Sequence, residues 1–255
     1  MPPALPPEFL AAPIAHRALH DRAAGRPENS LAAIEAACAG GYGIEIDLQL
    51  SVDGVAMVFH DDDLERLTGA KGLVTRQTSA DLSQLSLIGG GPVPTLAQVL
   101  VQIAGRAALL IEIKDQTGAM APTDGRLEEA AIRILQGYQG PVAIMSFNQH
   151  AIARVARIAP HLPRGLTTSS WRPENWGNIS PARCDTLRGI PDFDHIGAAF
   201  ISHEAKDLHR PRVAQLKAAG TPILCWTIRS HEAEKAARRI ADNITFEGYA
   251  AALPQ

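Results

Sequence analysis

Two histidines bracket a pair of carboxylates early in this 255-residue chain, and a third acid arrives on a later strand. The order is His16-Arg17, Glu45-Ile46-Asp47, Asp53-Gly54, His60-Asp61 and, much later, Ile111-Glu112-Ile113-Lys114. Imidazole titrates near neutrality, so two histidines can exchange protons in both directions. Glu45, Asp47 and Glu112 are oxygen donors that suit a hard divalent cation, Mg2+ or Ca2+, with water and substrate oxygens completing its shell. Arg17 could fork onto two phosphate oxygens, and Lys114 could add a point charge. This is most of the equipment for phosphodiester hydrolysis.

Each group has a plainer reading. A lone acid pair on a strand is more often a solvated outer face. A strand-end histidine is more often structural, and Arg17 or Lys114 could simply pair with a neighbouring acid. The combination argues otherwise. In an extended strand Glu45 and Asp47 share one face, and Ile44, Ile46 and Leu48 share the other. Glu112 and Lys114 repeat that alternation between isoleucines. Adjacent carboxylates inside a buried strand repel and resist desolvation, and a bound cation relieves both costs.

The elements that must position these groups alternate along the chain. Short apolar runs predict strands over 13–16, 43–50, 55–59, 108–113, 142–146, 165–168, 195–201, 222–226 and 243–246. Val52-Asp53-Gly54 turns the second into the third as a hairpin-like extension. Between them, Asn29 or Ser30 caps a helix stopped by Gly40-Gly41. Further helices are predicted over 94–103, 126–136, 149–159, 211–219 and 230–240, the last capped by Ser230. Residues 64–91 and Trp171–Asp192 read as irregular. About eight β/α units in ~250 residues predict a (β/α)8 TIM barrel. A doubly wound sheet is the rival, but no Gly-x-Gly-x-x-Gly follows a strand. In such a barrel His16 and His60, each ending a strand, would face one catalytic mouth. The remaining histidines read as surface or structural, with His203 the exception because it follows a strand.

Composition bounds the function. With 46% hydrophobic and 20% charged residues and a net charge of −3, the chain is of globular type. It carries no basic run for a nucleic acid. Cys38, Cys184 and Cys225 lack disulfide or zinc spacing, which points to a reducing compartment. The proline-rich Met1–Pro7 has no signal-peptide pattern, and no apolar run approaches the ~20 residues of a membrane span. A cytoplasmic location and no stable membrane association are expected. Serines lack a nucleophile-elbow context, against a Ser-His-Asp hydrolase.

Taken in order, His16-Arg17, Pro27-Glu28-Asn29-Ser30, Glu45-Ile46-Asp47, Asp53-Gly54, His60-Asp61-Asp62, Pro94-Thr95-Leu96, Ile111-Glu112-Ile113-Lys114 and Trp226-Thr227-Ile228 resemble the glycerophosphodiester phosphodiesterases over nearly the whole chain. Residues 162–166 and 215–220 look closest to the cytosolic branch associated with glycerol-3-phosphate uptake. The resemblance implies one TIM-barrel domain over 1–255, with a small insertion over 61–92 after the second strand. It implies a divalent metal on Glu45, Asp47 and Glu112, an acid–base pair in His16 and His60, and phosphate held by Arg17 and Lys114. Trp226 would pack against the glycerol side, and Glu28 and Asn29 would shape or support the site. The implied reaction yields sn-glycerol 3-phosphate and an alcohol from a small glycerophosphodiester, within glycerol and lipid metabolism. A phospholipase D-type barrel acting on a choline lipid and a catalytically silent phosphodiester-binding barrel are the rivals. The former wants an apolar rim, of which only scattered Phe and Trp are visible. Two positions depart from the family pattern. Ala18 stands where His-Arg-Gly is usual, at a position that often needs unusual backbone angles. Glu247 follows Thr245-Phe246 where the last strand usually ends in Thr-Asp.

Overall fold

The computed structural model describes residues 3–254; Met1, Pro2 and Gln255 lie outside them, so the reading of Met1–Pro7 falls partly outside. Strands β1 (Ile14–Ala15), β2 (Gly43–Leu50), β3 (Ala56–Val58), β4 (Leu109–Ile113), β5 (Val142–Ser146), β6 (Arg164–Thr168), β7 (Phe200–Glu204), β8 (Ile223–Ile228) and β9 (Asn243–Phe246) follow the predicted beat. β1 pairs in parallel with both β2 and β9, which closes eight parallel strands into a barrel. β3 stands outside that ring, antiparallel to the end of β2.

Alternation along the strands builds two separate cores. Ile44, Ile46, Leu48, Ile111, Ile113, Ile144, Ile201 and Ile244 face outward and pack with the helices. These are α2 (Leu31–Ala39), α5 (Leu96–Ile103), α6 (Arg126–Leu135), α7 (Gln149–Ile158), α9 (Pro211–Ala218) and α10 (His231–Ala237). The opposite parity, including Ile14, Leu110, Met145, Phe200 and Leu224, fills the barrel's lower interior. Gly165 leaves room there for Phe200: a Cβ would lie 2.5 Å from that ring. Helix starts carry their expected caps. The Ser30 hydroxyl accepts from the Ala33 amide, Ser230 does the same for Ala233, and Thr95 with Gln98 forms a capping box.

One element lies outside the expectations above, and three expectations need correction. The short helix α1 (Glu8–Ala11), too brief to leave a periodic signal, buries Phe9 against the barrel floor, and Asn243 Nδ2 ties it down through the Phe9 and Ala12 carbonyls at 2.8 and 2.6 Å. Residues 64–91 contain α3 (Glu65–Thr68) and α4 (Ser79–Gln84) around a small apolar cluster of Met57, Phe59, Leu64, Leu67, Val74, Leu82, Leu87 and Val93. The Trp171–Asp192 stretch contains α8 (Pro181–Arg188), with Ser180 as its cap and Pro181 in its first turn. The strand expected over 195–201 begins only at Phe200, because residues 191–197 form turns and Gly197 sits at φ 62. His203 therefore lies inside β7, wholly buried, with Nδ1 2.7 Å from the Thr168 hydroxyl.

Candidate active site

At the C-terminal mouth of the barrel is an open cavity of about 530 Å3, whose lining includes His16, Arg17, Glu45, His60, Glu112, Lys114 and Trp226. Asp47 lies among the carboxylates at its edge, while Glu28 and Asn29 stand behind the lining. The inward parity of β2 turns Glu45 and Asp47 the same way, and the parallel register sets Asp47 directly opposite Glu112 on β4. One oxygen from each of the three carboxylates lies within 4.8 Å of the others.

These acids are poorly balanced by the protein alone. Lys114 Nζ bridges Asp47 Oδ1 and Glu112 Oε1, each at 2.7 Å. Burial opposes charge on Asp47, but Lys114, His60 and Arg17 outweigh it and hold the carboxyl well below the usual range. Glu45 receives the Arg17 backbone amide at 2.8 Å, yet burial and the neighbouring Asp47 and Glu112 raise its pKa well above that of an ordinary glutamate. A buried all-oxygen triad with one member resisting ionisation fits a hard divalent cation. The charge such an ion would supply is what Glu45 lacks.

Behind the acids, Asn29 Nδ2 donates to Asp47 Oδ2 at 2.9 Å, and the Asp47 amide donates back to Asn29 Oδ1 at 3.3 Å. Arg17 Nη1 is held by Glu28 Oε1 at 2.7 Å. Its Nε, 3.7 Å from Asp47 Oδ2, is buried without a hydrogen-bond partner, as are the Thr167 and Thr245 hydroxyls on the cavity wall. Unpaired buried donors are costly, and a phosphate or polyol entering the cavity would satisfy them. Trp226 anchors its Nε1 on the Ser202 carbonyl at 3.0 Å and meets Phe147 edge-on, at 5.4 Å between centroids.

The two histidines reach the mouth by different routes. His16 follows β1. His60 does not end a barrel strand, as the reading of parallel strand ends required. Gly54, at φ 81, turns the chain back, and the Phe59 amide bonds the Asp47 carbonyl at 3.0 Å. That pairing returns His60 to the level of the carboxylates. Its Nδ1 lies 2.7 Å from Asp61 Oδ1.

Glu247, in sequence only a departure from the family pattern, belongs to this site. Its Oε2 is 2.5 Å from His16 Nδ1 and 3.7 Å from His20 Nε2, and its Oε1 accepts from Arg229 Nε at 2.7 Å. The hydrogen bond from His16, with the nearby His20 ring and the Arg229 guanidinium, holds the Glu247 carboxyl far below the ordinary range, against its burial. An ionised carboxylate only accepts, so His16 donates from Nδ1, and in the neutral ring, which burial favours, Nε2 is bare. Strand parity is the signal that could have found it, since Asn243, Thr245 and Glu247 fall on one inward row. Arg17, Ala18 and Asn29 have φ of 52, 65 and 57, a left-handed backbone at three non-glycine positions around the site. Ala18 thus adopts the conformation that explains a glycine there, at a cost of roughly 1–2 kcal/mol for an L residue.

Known proteins carry the same architecture. The model of the glycerophosphoryl diester phosphodiesterase family matches residues 16–245. A glycerophosphodiester phosphodiesterase of Caldanaerobacter subterraneus subsp. tengcongensis is 32% identical over 160 residues, 59% of this chain; the match spans 65% of that relative's length, just under two thirds. A putative glycerophosphodiester phosphodiesterase of Bacillus subtilis is 27% identical over 229 residues, 86% of each chain. Among solved structures, a phosphodiesterase of Oleispira antarctica in complex with the product sn-glycerol-3-phosphate superposes with a TM-score of 0.74 at 27% identity, covering 94% of this chain and 93% of that one. With the family model spanning nearly the whole barrel, the chain belongs to the glycerophosphoryl diester phosphodiesterase family.

Proposed function

We propose that this protein hydrolyses small glycerophosphodiesters to sn-glycerol 3-phosphate and a free alcohol, using His16 and His60 as the acid–base pair. The observation that carries the proposal is one cavity edged by both imidazoles, the carboxylate triad, and the cations Arg17 and Lys114. The product held by the Oleispira antarctica phosphodiesterase supports the choice of substrate. Glu45, Asp47 and Glu112 would hold a divalent cation of the Mg2+ or Ca2+ type, which when bound neutralises phosphate charge as it builds.

The protein's own groups divide the remaining work. Arg17, with its unpaired Nε, and Lys114 hold the phosphate, and Trp226 with Phe147 walls the glycerol side. Burial lowers the pKa of His16 despite its hydrogen bond to Glu247, so the ring is neutral near pH 7 and its Nε2 can take a proton from the attacking oxygen. His60, with Nδ1 on Asp61, gives a proton to the leaving alcohol. Water and the glycerol 2-hydroxyl are both chemically suited attackers; the second expels the alcohol to give a cyclic phosphate, which water must then open at the bond to the 2-oxygen to release sn-glycerol 3-phosphate. Residues 61–92 are read as an insertion within a single barrel domain. A cytoplasmic location is part of this reading, resting on the unpaired thiols of Cys38, Cys184 and Cys225. Among the described residues no helix is long and apolar enough to cross a membrane.

The test is release of sn-glycerol 3-phosphate from glycerophosphocholine by purified protein with Mg2+ or Ca2+, abolished by a chelator and restored by the ion. No release from any of several glycerophosphodiesters would end the proposal. Glu247 adds a signed prediction. Glu247→Gln keeps a hydrogen-bonding group but removes the charge that raises the His16 pKa. Turnover falls about 10- to 100-fold, as when the partner that orients a working histidine is changed. The acidic limb of the pH–rate profile moves to lower pH, because the base now protonates later. A limb that stays put, or moves up, removes Glu247 from this role.

A further inference from the structure

We propose that Arg66, on the insertion and outside the cavity, is a positioning residue that sets His60 and Arg17 together. The inference rests on the roles given above to those two residues. Arg66 Nη1 and Nη2 donate to Glu28 Oε2 and Oε1 at 2.9 and 2.8 Å. Its Nε and Nη2 donate to Asp61 Oδ2 and Oδ1 at 2.6 and 2.8 Å. One planar guanidinium therefore forks onto two carboxylates at once, a geometry an ammonium cannot reproduce. Each carboxylate then spends a shared oxygen on the site. Asp61 Oδ1 meets His60 Nδ1 at 2.7 Å, and Glu28 Oε1 meets Arg17 Nη1 at 2.7 Å.

The arrangement joins the proposed proton donor and the proposed phosphate clamp through a single side chain that touches neither. The insertion has anchors other than this side chain. Leu64 and Leu67, on either side in sequence, already bury themselves in the insertion's apolar cluster, and the Leu64 amide bonds the Gly72 carbonyl. The Arg66 side chain itself is 48% exposed. Even a forked pair with a half-exposed guanidinium adds only modestly to stability, so the larger effect of losing it belongs in turnover. Without it, Asp61 and Glu28 are free to rotate, and the His60 ring and the Arg17 fork lose their fixed aim. A displacement near 1 Å at a reacting group can cost about 100-fold.

The experiment compares wild type, Arg66→Ala and Arg66→Lys on glycerophosphocholine, alone and combined with Asp61→Asn plus Glu28→Gln. Arg66→Ala should lower kcat about 10- to 100-fold while the thermal midpoint moves by less than ~4 °C. Arg66→Lys, which retains the stem and the charge, should fall between. In the Asp61→Asn, Glu28→Gln background, replacing Arg66 should cost nothing further, since the carboxylates through which it acts are gone. An undiminished loss in that background, or kcat within twofold of wild type in Arg66→Ala, overturns the proposal. A readout independent of turnover separates it from the hydrolase reading. The hydrogen-bonded Nδ1 proton of His60 should give a downfield NMR resonance in wild type that is lost in Arg66→Ala. Its persistence sinks the positioning role even if the enzyme is inactive, and inactivity of wild type with that resonance lost in the variant sinks only the substrate assignment.

Discussion

His16→Ala and His60→Ala each lower turnover of glycerophosphocholine at least about 100-fold, the low end for losing a general acid or base. The two variants should part company when the leaving group changes. A glycerophosphodiester of p-nitrophenol departs as a stabilised phenolate and hardly needs a proton. If His60 is the donor, His60→Ala then recovers to within roughly tenfold of wild type, while His16→Ala remains impaired. The geometry favours that assignment. The His16 ring is kept neutral by burial and is oriented by Glu247, whereas His60 sits at the more open edge beside Asp61. Steady-state kinetics with both substrates checks it. Recovery in His16→Ala alone reverses the roles, and near-wild-type rates in both variants on glycerophosphocholine remove the pair altogether.

Much of the barrel is legible in the sequence because its signals are local. Period-2 alternation in Gly43–Leu50 and Leu109–Ile113 marks strands, and Ser30, Thr95 and Ser230 mark helix starts through bonds three residues away. The same alternation puts Glu45 and Asp47 on a common face from residue order alone. The register that sets Asp47 against Glu112 is a property of two strands 65 positions apart, and only barrel closure supplies it. His60 is expected at the mouth for a mistaken reason. Its strand runs backwards, and the Asp53-Gly54 turn, itself visible, returns the ring to the rim. Strand parity can put Glu247 on the inward row, but its contact with His16 spans 231 positions, so local pattern cannot name the partner. Arg66 lies in a stretch that reads as irregular, because α3 is one turn long and its ties to Glu28 and Asp61 are tertiary. What escapes the sequence is thus mostly the layer of charged groups behind the ones that would touch substrate.

Lys114→Met should be the most damaging single change to the stability of the metal-free protein. Burial opposes the Lys114 charge, but Asp47 and Glu112 more than offset it and raise its pKa well above that of a free lysine. The substitution keeps much of the stem and deletes the ammonium, leaving three buried carboxylates with less positive charge between them. Removing one partner of a buried pair costs about 3–5 kcal/mol, and for a chain of this size that is on the order of 10 °C in melting temperature. The pH dependence has a definite sign. Glu45 has a raised pKa, so its contribution is complete below its ordinary value near 4.5 and is lost as pH rises through the folded value. Asp47 has a depressed pKa, so its contribution is present above its ordinary value near 3.8 and is lost as pH falls through the folded value. Lys114 lowers both, and deleting it moves both upward. The deficit of Lys114→Met against wild type must therefore be larger at pH 8 than at pH 5. Added Mg2+ or Ca2+ should recover more of the melting temperature in the variant than in wild type, and more at the higher pH, because the ion replaces missing positive charge beside ionised acids. Calorimetry at the two pH values, with and without the ion, measures all of these differences. A deficit that shrinks as pH rises, or one that the ion leaves untouched, would show that the triad is not the ion-demanding cluster its burial and charge imply.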